Sequence, residues 1–261
     1  MRDHHESALA AAVADARDDD GFLACILGGS VARGWELPDS DVDVILVATD
    51  EEYERRRTEW DLQYYREDVT DHPDVYLDGK IVNLDFLREV AASGSEPARA
   101  AFVDADVRYT EDPAVPDLVE AAATYPEEHR RDRIETFYSQ MEAYRWFVDE
   151  ADKRDDPYLR HHAATQLALF GGRLLLAHDR TLFPFHKWFS RTLAEVTEKP
   201  EGAMDSFETL LDERTPEAAE AYATSIREFR DWETPEVGWP VRFLLDREWQ
   251  WREGQPALAE L

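Results

Sequence analysis

The sequence predicts an α+β chain, a mixed sheet with flanking helices in the first half and a helical bundle in the second. Three observations carry this. The apolar run Phe22-Leu23-Ala24-Cys25-Ile26-Leu27 leads into Gly28-Gly29-Ser30, and ten residues later Asp41-Val42-Asp43 opens a β-branched run to Val47, the pattern of strand, tight turn, short helix and strand. Residues 75–86 alternate as a second strand block around Asp78-Gly79. From about Glu127 onward no strand signal remains, and apolar residues recur at helical spacing.

In chain order, residues 5–18 are alanine-rich, with Leu9, Ala12, Val13 and Ala16 along one side of a helix that leads into the first strand. In the turn that follows, two glycines let the backbone approach a ligand closely, and the amides at the start of the next helix attract phosphate. Asp41 and Asp43, two apart on a strand, project to the same side, where they can hold a divalent cation together. They open a run that reads as buried, and an unpaired buried carboxylate is costly. The other acidic clusters, Asp18-Asp19-Asp20 and Asp104-Ala105-Asp106, read as solvated surface.

Residues 50–66 read as one helix, capped at Thr49 or Asp50. In the next block, residues 75–77 and 80–86 read as the arms of a hairpin with Asp78-Gly79 at its turn, which puts Asn83 and Asp85 on one face of the second arm. Residues 105–109 extend the sheet, and residues 115–123 give a further helical or strand signal. The break at Thr124-Tyr125-Pro126 divides a domain of residues 1–124 from one of residues 125–261.

In the second half, Ile134, Phe137, Tyr138, Met141, Tyr144 and Val148 trace one apolar stripe, and Leu159, Ala163, Leu167, Phe170 and Leu174 trace another. Both read as core. His162, Gln166 and Arg173 form a polar strip on the same predicted helix, fitting either a cleft or a solvated face. Thr215-Pro216-Glu217 starts another helix, and Gly238-Trp239-Pro240 opens a last one toward Trp251. Between them, Phe183-Pro184-Phe185-His186-Lys187-Trp188-Phe189-Ser190-Arg191 sets Lys187 and Arg191 four apart beside aromatic anchors, a cation pair suited either to phosphate or to neutralising an acidic surface.

Composition bounds the partners. The 261 residues are 43% apolar with eight Trp, enough for real cores. The 58 acids outnumber 29 bases, giving a formal net charge of −29, and Lys80, Lys153, Lys187 and Lys199 are the only lysines. Such a surface is tolerable when salt shortens the screening length to about 3 Å near molar ionic strength, so it reads as adaptation to a salty cytoplasm. Arg55-Arg56-Arg57 and Arg130-Arg131-Asp132-Arg133 are too short to grip a nucleic acid through counterion release. A small substrate is favoured. The single cysteine, Cys25, excludes an intrachain disulfide, and without a signal peptide or membrane-length apolar segment the expected location is cytoplasmic.

Gly29-Ser30, followed at this separation by Asp41-Val42-Asp43, resembles the signature of the DNA polymerase β-like nucleotidyltransferase superfamily. The resemblance implies a third carboxylate on a neighbouring strand, for which Asp85 is the choice, so that Asp41, Asp43 and Asp85 hold two Mg²⁺ ions and carry catalysis. It implies nucleotide binding through Gly29, Ser30 and Ser40, with Lys187 and Arg191 as candidate contacts to the phosphates. A catalytic α/β domain followed by a helical bundle looks like the aminoglycoside (kanamycin-type) nucleotidyltransferases, and the aromatic-Pro-aromatic-x-Lys-Trp block is similar to one in stand-alone prokaryotic nucleotidyltransferase-domain proteins. The expected reaction moves a nucleoside monophosphate, AMP from ATP, to a hydroxyl of a small molecule and releases pyrophosphate. Two other roles fit the residues: adenylylation of a partner protein, as by small antitoxin nucleotidyltransferases, and nucleotide-binding regulation without turnover.

Overall fold

The computed structural model describes residues 1–252 and 254. The chain forms two compact units, Met1–Tyr125 and Pro126–Leu261, and the fold is α+β.

In the first unit, helix α1 (Asp3–Asp18) leads into β1 (Phe22–Leu27), the one-turn helix α2 (Gly29–Ala32) and β2 (Val42–Ala48). Helix α3 (Asp50–Glu59) starts where the Thr49 hydroxyl accepts a hydrogen bond from the Glu52 amide. The single helix expected over residues 50–66 is corrected here: the helix stops at Glu59, and Gln63–Arg66 is strand β3. The chain continues through β4 (Leu77–Asn83), α4 (Leu84–Ser93), α5 (Glu96–Ala100), β5 (Asp106–Thr110) and α6 (Val115–Ala123).

The five strands lie in the order β3-β4-β2-β1-β5, with β2 and β4 parallel and every other pair antiparallel. The sheet is mixed because α3 and β3 intervene between β2 and β4 and return the chain in the same direction. Both faces are covered. Ala8, Leu9, Ala12 and Ala16 of α1 pack on one face against Cys25, Val42, Val44, Leu46, Leu77 and Ile81. Leu87 and Val90 of α4, with Val115, Val119 and Ala122 of α6, pack on the other against Ala24, Ile26, Ile45, Val47 and Val82. That double cover explains the unbroken apolar run in β2.

The expected hairpin around Asp78-Gly79 is also corrected. Residues 77–83 are one continuous strand, flanked by β2 in parallel and by β3. Gly79 lies opposite Val44, and a Cβ there would stand 2.8 Å from both the Val44 carbonyl oxygen and its Cγ2. The glycine therefore admits a neighbouring strand at close range instead of turning the chain.

The second unit contains α7 (Arg130–Arg154), α8 (Pro157–Asp179), α9 (Phe189–Glu195), α10 (Ala203–Glu213), α11 (Pro216–Phe229) and α12 (Trp239–Arg247). The two apolar stripes read from the sequence lie in its core except at Tyr138, which packs against it partly buried, and at Leu159, which is half-buried. Asp156 and Thr215 cap α8 and α11 through the amides of Leu159 and Ala218. Helix α12 ends at Arg247, short of Trp251, and a 3₁₀ turn over Gln250–Arg252 follows. Of the polar strip on α8, His162 lies beside the rings of Tyr144 and Tyr158, and the Arg173 guanidinium stacks over Phe137 at 4.1 Å and Phe183 at 4.7 Å.

Candidate active site

The site is built where β1 turns into α2 and β2 begins. Gly29 takes φ +63°, the left-handed region that glycine enters without a Cβ penalty. A Cβ at this position would lie 1.7 Å from Oδ2 of Asp43, so the turn is closed directly against that carboxylate. The Gly28 amide donates to the Asp43 carbonyl oxygen at 2.9 Å, which locks the turn to the start of β2. Ser30 is buried in the first turn of α2. The Ser40 hydroxyl accepts from the Leu37 amide at 2.9 Å while the Ser40 amide donates to the Leu37 carbonyl, so Ser40 closes the loop that delivers Asp41.

Within β2, Asp43 shares a face with Ile45 and Val47, the face covered by α4 and α6. On the parallel neighbour β4, Asp78 stands opposite Asp43 and Lys80 opposite Ile45. Aligned residues of a parallel pair point the same way, so Asp43, Asp78 and Lys80 all project to one side. These three, with Gly28, Gly29, Ile45, Gly79 and Ala101, line a cavity of about 280 Å³. Gln63 of β3 reaches in from the edge strand and donates from Nε2 to Oδ1 of Asp78 at 3.2 Å.

Electrostatics mark the same spot. The Tyr76 phenol has its pKa raised, first by the negative charge of Asp41, then by desolvation and the charges of Asp78 and Asp43. The charges of three carboxylates thus act on one hydroxyl. Lys80 has its pKa lowered by desolvation, partly offset by Asp43.

Asp85, expected as the third carboxylate, is placed elsewhere. Asn83 lies opposite Ala48 in the β2–β4 register, five residues beyond Asp43, or about 16 Å along the strand. Its side chain accepts from the Phe86 amide and caps α4, so Asp85 falls in the first turn of a helix, two-thirds exposed and paired with Arg88 at 2.7 Å. The structure brings Asp41, Asp43 and Asp78 to one end of the sheet and leaves Asp85 at the other. Lys187 and Arg191 belong to the second unit, where the Lys187 ammonium lies 5.5 Å from the Trp188 ring and Arg191 pairs with Glu195 at 3.5 Å.

Sequence reasoning missed Asp78, Lys80 and Tyr76. The signal was present: Leu77 and Ile81 alternate with Asp78 and Lys80, the period of one strand, but Asp-Gly was given the weight of a turn.

The donor set suits a hard cation that keeps part of its coordination for phosphate oxygens, since Mg²⁺ is held by one or two carboxylates plus substrate phosphates more often than by a complete protein cage. Among the described residues no group of three or more His, Cys, Asp or Glu side chains could hold a metal ion, so the fit rests on the Asp41 and Asp43 pair together with phosphate oxygens. Asp41 and Asp43, with Asp78 alongside, fit such an ion.

Residues 17–95 match the family model of the nucleotidyltransferase domain. The matched segment contains β1 through α4 and therefore Gly29, Asp41, Asp43, Asp78 and Lys80. Among solved structures, the chain is similar to a nucleotidyltransferase-like protein from Exiguobacterium sibiricum 255-15, at 12% identity and a TM-score of 0.47, over 98% of this chain and 83% of that one. No curated protein matches.

Proposed function

We propose that the protein is a metal-dependent nucleotidyltransferase that moves a nucleoside monophosphate, AMP from ATP, to a hydroxyl of a small molecule. The observation that carries the reading is the rung formed by Asp43 and Asp78 across parallel β2 and β4, with Gly29 closed against Asp43, inside the segment that matches the nucleotidyltransferase domain. The acceptor oxygen bonds to the α-phosphorus, the bridge from the α- to the β-phosphate breaks, and pyrophosphate leaves with that electron pair. The acceptor's proton passes to a carboxylate of the set, for which Asp78 is the candidate.

A divalent cation held by Asp41 and Asp43 together with phosphate oxygens would neutralise developing charge on the phosphoryl group. The protein supplies the rest by position. The Gly28-Gly29 turn leaves room for the triphosphate tail, since no side chain fills it. Gln63 orients Asp78, and Ser40 shapes the loop carrying Asp41. The small cavity and the strongly negative chain favour a compact substrate over a polyanion.

The test is pyrophosphate release from purified protein given ATP, Mg²⁺ and a panel of hydroxyl acceptors in high KCl. Release that Asp43→Ala abolishes supports the transferase. Tight ATP binding without release from any acceptor would instead favour a regulator.

A further inference from the structure

Among the described residues, Lys80 contributes the only cationic side chain lining the cavity that also holds Asp43 and Asp78. Its place on β4, opposite Ile45 and two residues past Asp78, turns it onto the Asp43 face of the sheet. Its ammonium rests 5.8 Å from the centre of the Phe102 ring, a residue that is itself buried. The wall beyond is fixed as well, because Arg33, which caps α2, donates to the Ala100 carbonyl at 2.6 Å.

The strand order gives this cation a definite side. In β3-β4-β2-β1-β5, the glycine turn extends β1, Asp43 starts β2, and Lys80 sits on β4. Lys80 and the glycine turn therefore flank Asp43 from opposite directions. If the turn receives the triphosphate tail, Lys80 stands on the far side of Asp43 from that tail, two residues along the strand that carries Asp78. This is the side on which the phosphoryl group being transferred and the incoming acceptor must meet.

We propose that Lys80 is a phosphoryl-binding residue of the reaction, its ammonium contacting the α-phosphate of the nucleotide donor rather than the β- and γ-phosphates. The proposal rests on the nucleotidyltransferase reading and names the group that balances charge at the transferred phosphorus. A cation placed there offsets the negative charge that two aspartates would otherwise present to an anionic substrate. It also suits a lysine in a chain with so few: most of the surface ion pairs are served by arginine, Lys153 with Glu150 being an exception, whereas a compact ammonium fits a narrow cleft as a point charge.

The experiment is equilibrium binding of ATP, AMP and adenosine, each with Mg²⁺, to wild type, Lys80→Met, Lys80→Gln and Lys80→Arg, with circular dichroism reporting the fold. Two neutral variants are read so that loss of folding in one does not decide the result. The expected result is that ATP and AMP both bind about tenfold or more weakly to the neutral variants. Adenosine should bind equally to all, and Lys80→Arg should lie near wild type for the nucleotides. Folded neutral variants that bind AMP as wild type does would overturn the proposal, and a loss confined to ATP would move Lys80 to the tail and overturn it equally. Should wild type bind neither ATP nor, in a control with Mg²⁺, any of GTP, CTP and UTP, the transferase reading itself fails and takes this assignment with it, an outcome distinct from a defect-free Lys80 variant.

Discussion

Gly29 meets two demands with one hydrogen atom. Its φ of +63° strains any L side chain, and a methyl there would overlap the Asp43 carboxylate. Gly29→Ala is expected to cost about 1–3 kcal/mol of stability and to displace Asp43. Urea denaturation with a nucleotide-binding assay checks both effects; a variant of unchanged stability that binds normally would contradict the packing described. At the same scale, His5 is completely buried on α1, and burial, followed by the neighbouring His4, lowers its pKa from the ordinary 6.5. The unfolded chain accepts a proton that the folded chain resists, so this contribution is whole above the unfolded pKa and is lost as pH falls below it. Denaturation at about pH 7.5 and about pH 5.5 should show wild type losing more stability on acidification than His5→Leu.

Strand β4 and helix α4 decide which acid belongs to the site. Asn83 ends the strand and caps the helix, its Oδ1 accepting from the Phe86 amide and its Nδ2 donating to Asp50 at 3.1 Å. Asp78 therefore lies at the site end of β4 and Asp85 in the first turn of α4, near a helix N-terminus and paired with Arg88. Asp78→Asn should lower pyrophosphate release by about 100-fold or more, whereas Asp85→Asn should leave it within about twofold. Steady-state rates on the two variants are the measurement, and a reversal would return the third carboxylate to Asp85. Much of this site was legible beforehand: the glycine turn, Asp41 and Asp43 lie within fifteen residues and declare themselves locally. Asp78 did not, because an Asp-Gly pair in isolation has the chemistry of a hairpin turn. Only the approach of Val44 shows that the glycine is there to let a strand come close.

At the scale of the molecule, the net charge of −29 bears on how folding should depend on salt. Carboxylates are drawn into arginine pairs where they can be. On α3, Arg55 and Arg56 meet Glu52 at 2.7 and 2.6 Å, and hydrogen bonding to Arg55 heads the causes that bring the Glu52 pKa to about 2. With acids outnumbering bases two to one, repulsion remains. Thermal unfolding should therefore rise in midpoint between about 0.1 M and about 3 M KCl, as screening shortens from about 10 Å to a few ångströms. A midpoint that falls or stays level would remove the salt-adaptation reading. None of the described helices is long and apolar enough to cross a membrane.

The sequence by itself determined the α+β class, the β1–turn–β2 unit with Gly29, Asp41 and Asp43, and the apolar stripes of the helical half. Each of these is written in residues close together in the chain, where turn chemistry and periodicity act directly. The tertiary structure alone decided that β4 pairs with β2 in parallel, that Asp78 and Lys80 join Asp43 on one face, and that Asp85 falls in the first turn of a helix at the other end. Those outcomes depend on register between strands some thirty-five residues apart, fixed by core packing on both faces of the sheet and by the absence of a side chain at Gly79.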